Sequence, residues 1–233
     1  MQTIKSCSPS RLFDYESCPL KAKLKFIDKI PEPERPLPPG TTEHANDRGT
    51  RIHKECEAFV NGTGPFPIEA RRFKDELERL QKLFTEGKVS MEGEWGFDRD
   101  WRVVEWYRAW LRMKLDALVF ITPKHALIVD NKTGASFGNQ IKHGEQTQLY
   151  ALATCLKYPA IEFVTTELWY LDQDELVRNE FSRDQALRFY KPFDKRLKAM
   201  TDATVFPTRP NPISCKFCPY HPVRGTGDCK EGV

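Results

Sequence analysis

The stretch "LDALVFITPKHALIVDNKTG" carries two acids, Asp116 and Asp130, and a lysine, Lys132, among apolar and β-branched residues. Such residues favour strands, and side chains two apart on a strand share a face, so Asp130 and Lys132 point the same way. "TPK" supplies a turn that folds the preceding strand back and carries Asp116 alongside. Two carboxylates and an ammonium then converge. Oxygen donors of this kind suit a hard divalent cation such as Mg²⁺. The lysine can orient an attacking water or stabilise charge as a phosphodiester is cleaved. A D-x-K pattern taken alone is more often a strand end with a surface ion pair, so its surroundings decide the reading.

Two further segments bear on it. "RGTRIHKECE" places His53 and Glu57 four apart on one helical face, and "EQTQLYA" does the same for Gln146 and Tyr150. Each pair alone is ordinary helix surface or packing. A different chemistry stands near the end of the chain, in "SCKFCPYHPVRGTGDC". Cys215 and Cys218 are separated by two residues, a loop that points both sulfurs inward at one metal or cluster. Cys229 follows, with His221 as a possible substitute. A full site takes four ligands, which leaves His221 or a residue elsewhere in the chain as the fourth.

The elements that must position these residues read as follows. Ser8 to Lys25 is a helix opening on a serine cap and a first-turn proline. "PEPERPLPPG" (31–40) is a stiff extended linker. Glu43 to Val60 and Glu69 to Thr85 are helices. "EWGFD", "MKLDALVFI" and "HALIVDNKTG" are strands, "GEQTQLYALATCLK" is a helix, "EFVTTELWYLD" and "ELVRNEF" are strands, and Ser182 to Thr201 is a helix. There is no internal repeat. Helices flanking a central sheet give an α/β or α+β fold.

The 233 residues suffice for one large domain, and 39% hydrophobic with 30% charged residues is the balance of a soluble globular protein. A net charge of +3 is too small to demand an anionic partner, and the basic runs at Lys21 to Lys29 and Asp194 to Lys198 are usually solvated helix faces. Seven cysteines in a chain too large to need disulfides read as reduced thiols in the cytoplasm. Cys7, Cys56 and Cys155 are buried or incidental. No signal-peptide core opens the chain, and "ALVFI" and "ALIV" are far too short to span a membrane.

Taken together and in order, Gly49 to His53, Asp116, "DNKTG" and Gln146 to Tyr150 resemble the RecB-like branch of the PD-(D/E)XK nucleases. The resemblance implies a restriction-endonuclease-like core with a central mixed sheet. It also implies Mg²⁺ or Mn²⁺ held by His53, Asp116 and Asp130, with the backbone carbonyl of Asn131 serving the metal. Asn131 stands where an aromatic or apolar residue is commoner. Asp116, Asp130 and Lys132 become the catalytic residues, while Gln146 and Tyr150 contact DNA or support the site.

"SPSRLFDYESCPLKAKLKF" is similar to the N-terminal motif of an iron–sulfur subgroup of that branch, which includes the CRISPR-associated adaptation nuclease, the AddB nuclease domain and phage-encoded relatives. In that subgroup one N-terminal cysteine joins three C-terminal ones on a [4Fe–4S] cluster, which here implies Cys18, Cys215, Cys218 and Cys229. Ten residues separate Cys218 from Cys229, more than is typical of the subgroup. A structural Zn²⁺ using His221 is the competing site. The resemblance thus divides a single nuclease domain, 1–233, into a core at 43–204 and a cluster-binding module of 1–30 and 205–233. It implies a deoxyribonuclease, an exonuclease on single-stranded DNA or DNA ends, in replication, recombination or repair. The chain has no helicase motif, so it works alone or with separate partners. The rival readings are a CRISPR adaptation nuclease trimming spacers beside an integrase, and a DNA-binding or interaction protein without catalysis.

Overall fold

The computed structural model describes residues 2–34, 36–134 and 136–233. Arg35, within the expected linker, lies outside the described residues.

Ser8 caps the first helix, α1 (Pro9–Ser17), its hydroxyl accepting from Arg11 N–H at 3.3 Å with Pro9 in the first turn. The single helix expected over Ser8 to Lys25 is instead two. Cys18 precedes Pro19, whose ring disfavours helical backbone at the residue before it, and Cys18 is extended (φ −160°, ψ 108°). The helix restarts as α2 (Pro19–Phe26). α3 (Ala45–Val60) follows, and the helix expected from Glu69 begins as a 3₁₀ segment (Ile68–Phe73) before α4 (Lys74–Thr85).

The sheet is built from β1 (Val89–Phe97), β2 (Val103–Val104), β3 (Leu111–Thr122), β4 (His125–Lys132), β5 (Phe163–Tyr170) and β6 (Glu175–Ser182), in the order β2-β1-β3-β4-β5-β6. All neighbours are antiparallel except β4 and β5, which run parallel. Parallel neighbours need a crossover, and α5 (Gln140–Lys157) provides it. The result is a mixed α/β fold with a six-stranded central sheet flanked by helices. The helix expected over Ser182 to Thr201 divides into α6 (Arg183–Arg188) and α7 (Tyr190–Thr201). Pro192 cannot donate to the carbonyl of Arg188 and its ring crowds that carbonyl, so the break falls at Phe189. A short α8 (Pro212–Lys216) lies in the tail.

Alternation along β4 separates two cores. Ala126 and Ile128 join Leu149, Leu152, Phe193 and Leu197 beneath α5 and α7. Val129 joins Ile52, Cys56, Leu77 and Trp169 beneath α3 and α4. In β3 the alternation slips at one residue. Leu111, Met113 and Leu115 face the α5 core, then Ala117 and Val119 face the α3 core and Leu118 the first again. The slip falls at Asp116. On the adjoining β1, Glu92 is left-handed (φ 46°), a conformation costly for a residue with a side chain.

Candidate active site

Asp116 sits where the alternation of β3 slips, and it touches both α3 and the adjoining strand β4. Its Oδ1 lies 3.0 Å from His53 Nδ1 on α3, and its Oδ2 accepts the backbone N–H of Asn131 at 2.6 Å. The β3–β4 register ends at Ala117 with Val129, which sets Asp116 and Asp130 just past the last pair on adjoining strands. Asp130 and Lys132 share a face as expected, with Nζ 2.6 Å from Asp130 Oδ2. The lysine also donates to Gln146 Oε1 at 2.9 Å, Gln146 Nε2 donates to Tyr150 OH at 2.6 Å, and Tyr150 OH donates to the carbonyl of Lys114 at 3.0 Å. One chain of polar contacts thus runs from β4 through α5 to β3. Gln146 and Tyr150 are one turn apart, which is why a single helix face supplies both.

Gly49 explains how α3 reaches the sheet. A Cβ there would stand 3.0 Å from Thr133 Oγ1, so the absence of a side chain lets the helix pass close to the residue after β4. Arg48 completes the seat with a bidentate pair to Asp172 at 2.7 and 2.9 Å.

The electrostatics are those of crowded negative charge. Burial pushes the Asp130 carboxyl up, Lys132 opposes this, and the nearby Asp116 adds to it. Burial also raises Glu92, helped by Asp116 and Glu57. Burial would lower His53, but the hydrogen bond and charge of Asp116 outweigh it, and its pKa is raised. Burial, with the cations Lys132 and Lys142, holds His143 down to about 4. Tyr150 is raised well above the phenol range by burial, so its hydroxyl remains a donor.

These donors fit a hard divalent cation by type. Asp130 Oδ2 is buried and lacks an aligned hydrogen bond despite its ion pair. A cation would relieve the mutual repulsion of Asp116, Asp130 and Glu92. Among the described residues, however, no three His, Cys, Asp or Glu side chains converge on one point. Asp116 is instead held by His53 and the Asn131 N–H, and Asp130 is ion-paired with Lys132.

Three neighbours escaped the sequence reading. Glu92 has no local signal, because only the pairing of β1 with β3 brings it near Asp116. His143 stands three residues before Gln146, a helical spacing that could have flagged it, and its Nδ1 lies 2.6 Å from Tyr170 OH. Tyr170 lies opposite Lys132 on β5, a register visible only in the fold.

The cysteines fall into two groups. Cys7, Cys56 and Cys155 are fully buried, and burial pushes the thiols of Cys7 and Cys56 up to about 12. Cys18, Cys215, Cys218 and Cys229 line one cavity of about 190 Å³, with His221. His221 has both ring nitrogens engaged. Nδ1 accepts from Val223 and Arg224 N–H at 3.1 Å each, and Nε2 lies 2.9 Å from Arg224 Nη2.

A mixed sheet whose parallel pair is bridged by a helix, with Asp, D-x-K and a supporting Gln at one end, is the frame of a nuclease. The family model of the PD-(D/E)XK nuclease superfamily matches residues 6–117 and 94–223, and the chain belongs to that superfamily. Among solved structures, the chain aligns with the crystal structure of SSO0001 at a TM-score of 0.47 and 13% identity, covering 100% of this chain and 90% of that one. It also aligns with an alkaline exonuclease from Laribacter hongkongensis at a TM-score of 0.33 and 16% identity, covering 84% and 86%. No curated protein matches its sequence. No helix among the described residues is long and apolar enough to cross a membrane.

Proposed function

We propose that the protein is a Mg²⁺- or Mn²⁺-dependent deoxyribonuclease that acts as an exonuclease on single-stranded DNA or DNA ends. The observation that carries this is the contact chain from Asp130 through Lys132 and Gln146 to Tyr150, set beside Asp116 and His53 in a chain of this superfamily. Asp116 and Asp130, with His53 and the Asn131 carbonyl, would hold the metal, which when bound supplies Lewis acidity and an acidified water. Lys132 places its ammonium beside the reacting phosphate, to orient the attacking water and balance developing negative charge. Gln146 fixes the direction of Lys132, and Tyr150 fixes Gln146 by its bond to Lys114. Asp116 holds His53 of α3 and the backbone of β4, and so ties that helix to the strand that carries Asp130 and Lys132.

The reading includes a [4Fe–4S] cluster on Cys18, Cys215, Cys218 and Cys229. Its support is that cysteines from the two ends of the chain line one cavity. The engagement of both His221 nitrogens favours Cys229 as the fourth ligand. The test is to incubate protein purified without oxygen with end-labelled single- and double-stranded DNA, with and without Mg²⁺ or Mn²⁺. Metal-dependent loss of nucleotides from an end is the expected result. An intact substrate under every metal, with iron-loaded folded protein, would refute the activity.

A further inference from the structure

A groove of about 380 Å³ opens beside the Lys132 network, and Gln146 and Tyr150 form part of its wall. The N-terminal segment builds the opposite side. A parallel bridge of Cys7 with Leu111 lays that segment along the start of β3, with Cys7 N–H donating to Trp110 O at 2.7 Å and Arg112 N–H to Cys7 O at 2.9 Å. The chain then enters α1 at Ser8, so Arg11 comes to lie in the same groove as Arg112.

Neither guanidinium forms an ion pair with a carboxylate among the described residues. Among the described residues Arg11 donates to Ser6 alone, at 3.0 Å to its carbonyl and 2.7 Å to its hydroxyl, and its guanidinium lies 4.9 Å from the centre of the Phe26 ring. Arg112 has a buried Nε with no hydrogen-bond partner, and its guanidinium lies 5.4 Å from the centre of the Trp106 ring. Lys114 stands 5.8 Å from the same ring and is paired with Glu94 at 2.9 Å. Comparable arginines elsewhere are matched, Arg196 by Glu16 and Glu145 and Arg51 by Glu43, Glu55 and Glu69. The groove is therefore a place where two half-buried like charges meet without an acid. Burial, and then the charge of Arg112, hold Arg11 below its ordinary value. An anion between them would remove that repulsion and satisfy the idle Nε.

We propose that this groove is a backbone-phosphate subsite, in which Arg11 and Arg112 grip the DNA strand beside the scissile bond. Guanidinium forks match phosphate oxygens, and contacts to the backbone set register without reading sequence. Trp106 acts as a positioning residue, holding the Arg112 plane against its face. Because Gln146 and Tyr150 belong to both the groove and the Lys132 network, a phosphate seated there aligns the next one with Lys132. The proposal rests on the nuclease reading and adds where the strand is held.

The test measures binding of a labelled oligothymidylate by anisotropy across a salt series, without added divalent metal so that nothing is cleaved. Arg11→Gln and Arg112→Gln should each weaken binding and flatten the slope of log K against log salt by about 0.7, the value for one phosphate contact on a single strand. Arg112→Lys should keep the slope. With metal present, the KM for the oligonucleotide should rise in both Gln variants. Hydrolysis of bis(p-nitrophenyl) phosphate, which has no neighbouring phosphate, should not change. Free of DNA, Arg112→Gln should melt no lower than wild type, because repulsion has been relieved. Should one Gln variant fail to fold, the other decides. Unchanged slopes, or a lower melting temperature for Arg112→Gln with its slope intact, would overturn the subsite and leave the nuclease standing. A wild type that neither binds nor cleaves DNA would remove both.

Discussion

Asp130 is a carboxylate whose charge the fold opposes. Its pKa is raised, so folding favours the protonated acid, and the stability that preference contributes at low pH is lost as pH rises through the folded pKa. Asp130→Asn should therefore melt higher than wild type in metal-free buffer at neutral pH, while losing metal-dependent cleavage; calorimetry with a matched activity assay reads both. A lower melting temperature would mean that the Lys132 pair outweighs burial. Lys132→Ala should keep metal binding and lose roughly 10²- to 10³-fold in turnover, the scale of removing a group that stabilises transition-state charge. His53 works in the opposite sense. Its raised pKa means that the pair with Asp116 stabilises the metal-free fold fully below the unfolded value, and that this is lost as pH rises through the folded one. A metal needs the neutral ring, so metal affinity should fall, with proton uptake, as pH drops through that raised value. Metal titrations at several pH values should show this in wild type. In His53→Ala the part of the pH dependence owed to the imidazole should be gone, leaving that of Asp130, and affinity should be weaker.

α5 unites crossover and site in one element. It bridges the parallel pair β4 and β5, buries Leu149 and Leu152 in the core, and turns Gln146 and Tyr150 toward Lys132. Tyr150→Phe keeps the buried ring and deletes the bond to Lys114 O, which should cost about 1 kcal/mol of stability. It should also lower kcat more than it raises KM, since Gln146 then holds Lys132 less firmly. Equal kcat in a folded variant would show that Gln146 needs no anchor. The α1–α2 junction makes a separate prediction. Pro19 is the reason Cys18 is extended, so Pro19→Ala should let the helix run on and lower the iron content with every cysteine intact. Iron analysis with circular dichroism checks both halves of that statement.

Contacts between the chain ends extend well beyond the cysteines. Leu20 N–H donates to Pro207 O at 3.2 Å, Arg209 Nη1 to Glu16 O at 2.5 Å, and Tyr220 OH to Ile30 O at 3.1 Å. A cluster on Cys18, Cys215, Cys218 and Cys229 would close this loop covalently across most of the chain. Closing so long a loop restricts the unfolded state, and ligation that exists only in the folded state adds its binding energy to folding. Protein purified without oxygen should be brown, with about four irons. Alanine at any of the four cysteines should bleach it and expose both ends to protease together. A colourless protein with stoichiometric zinc would replace the cluster and leave the nuclease reading intact.

The spacing of Asp130 and Lys132, the turn that returns the strand of Asp116, and the helical pairs of His53 with Glu57 and Gln146 with Tyr150 are local regularities. Period two in a strand and about three and a half in a helix make them legible in one dimension, and most elements were legible for the same reason. Two helix breaks were missed although prolines marked both, because Pro19 and Pro192 each sit inside an otherwise helical pattern. What only the tertiary structure decided is whatever depends on one strand lying beside another. The slip at Asp116, the left-handed Glu92 opposite it, and Tyr170 beside Lys132 follow from register, which no segment contains. The same holds for Arg11 and Arg112, about a hundred residues apart in sequence and brought into one groove by a single bridge at Cys7. Charge repulsion and desolvation act through space, so their balance at these residues exists only once the chain has folded.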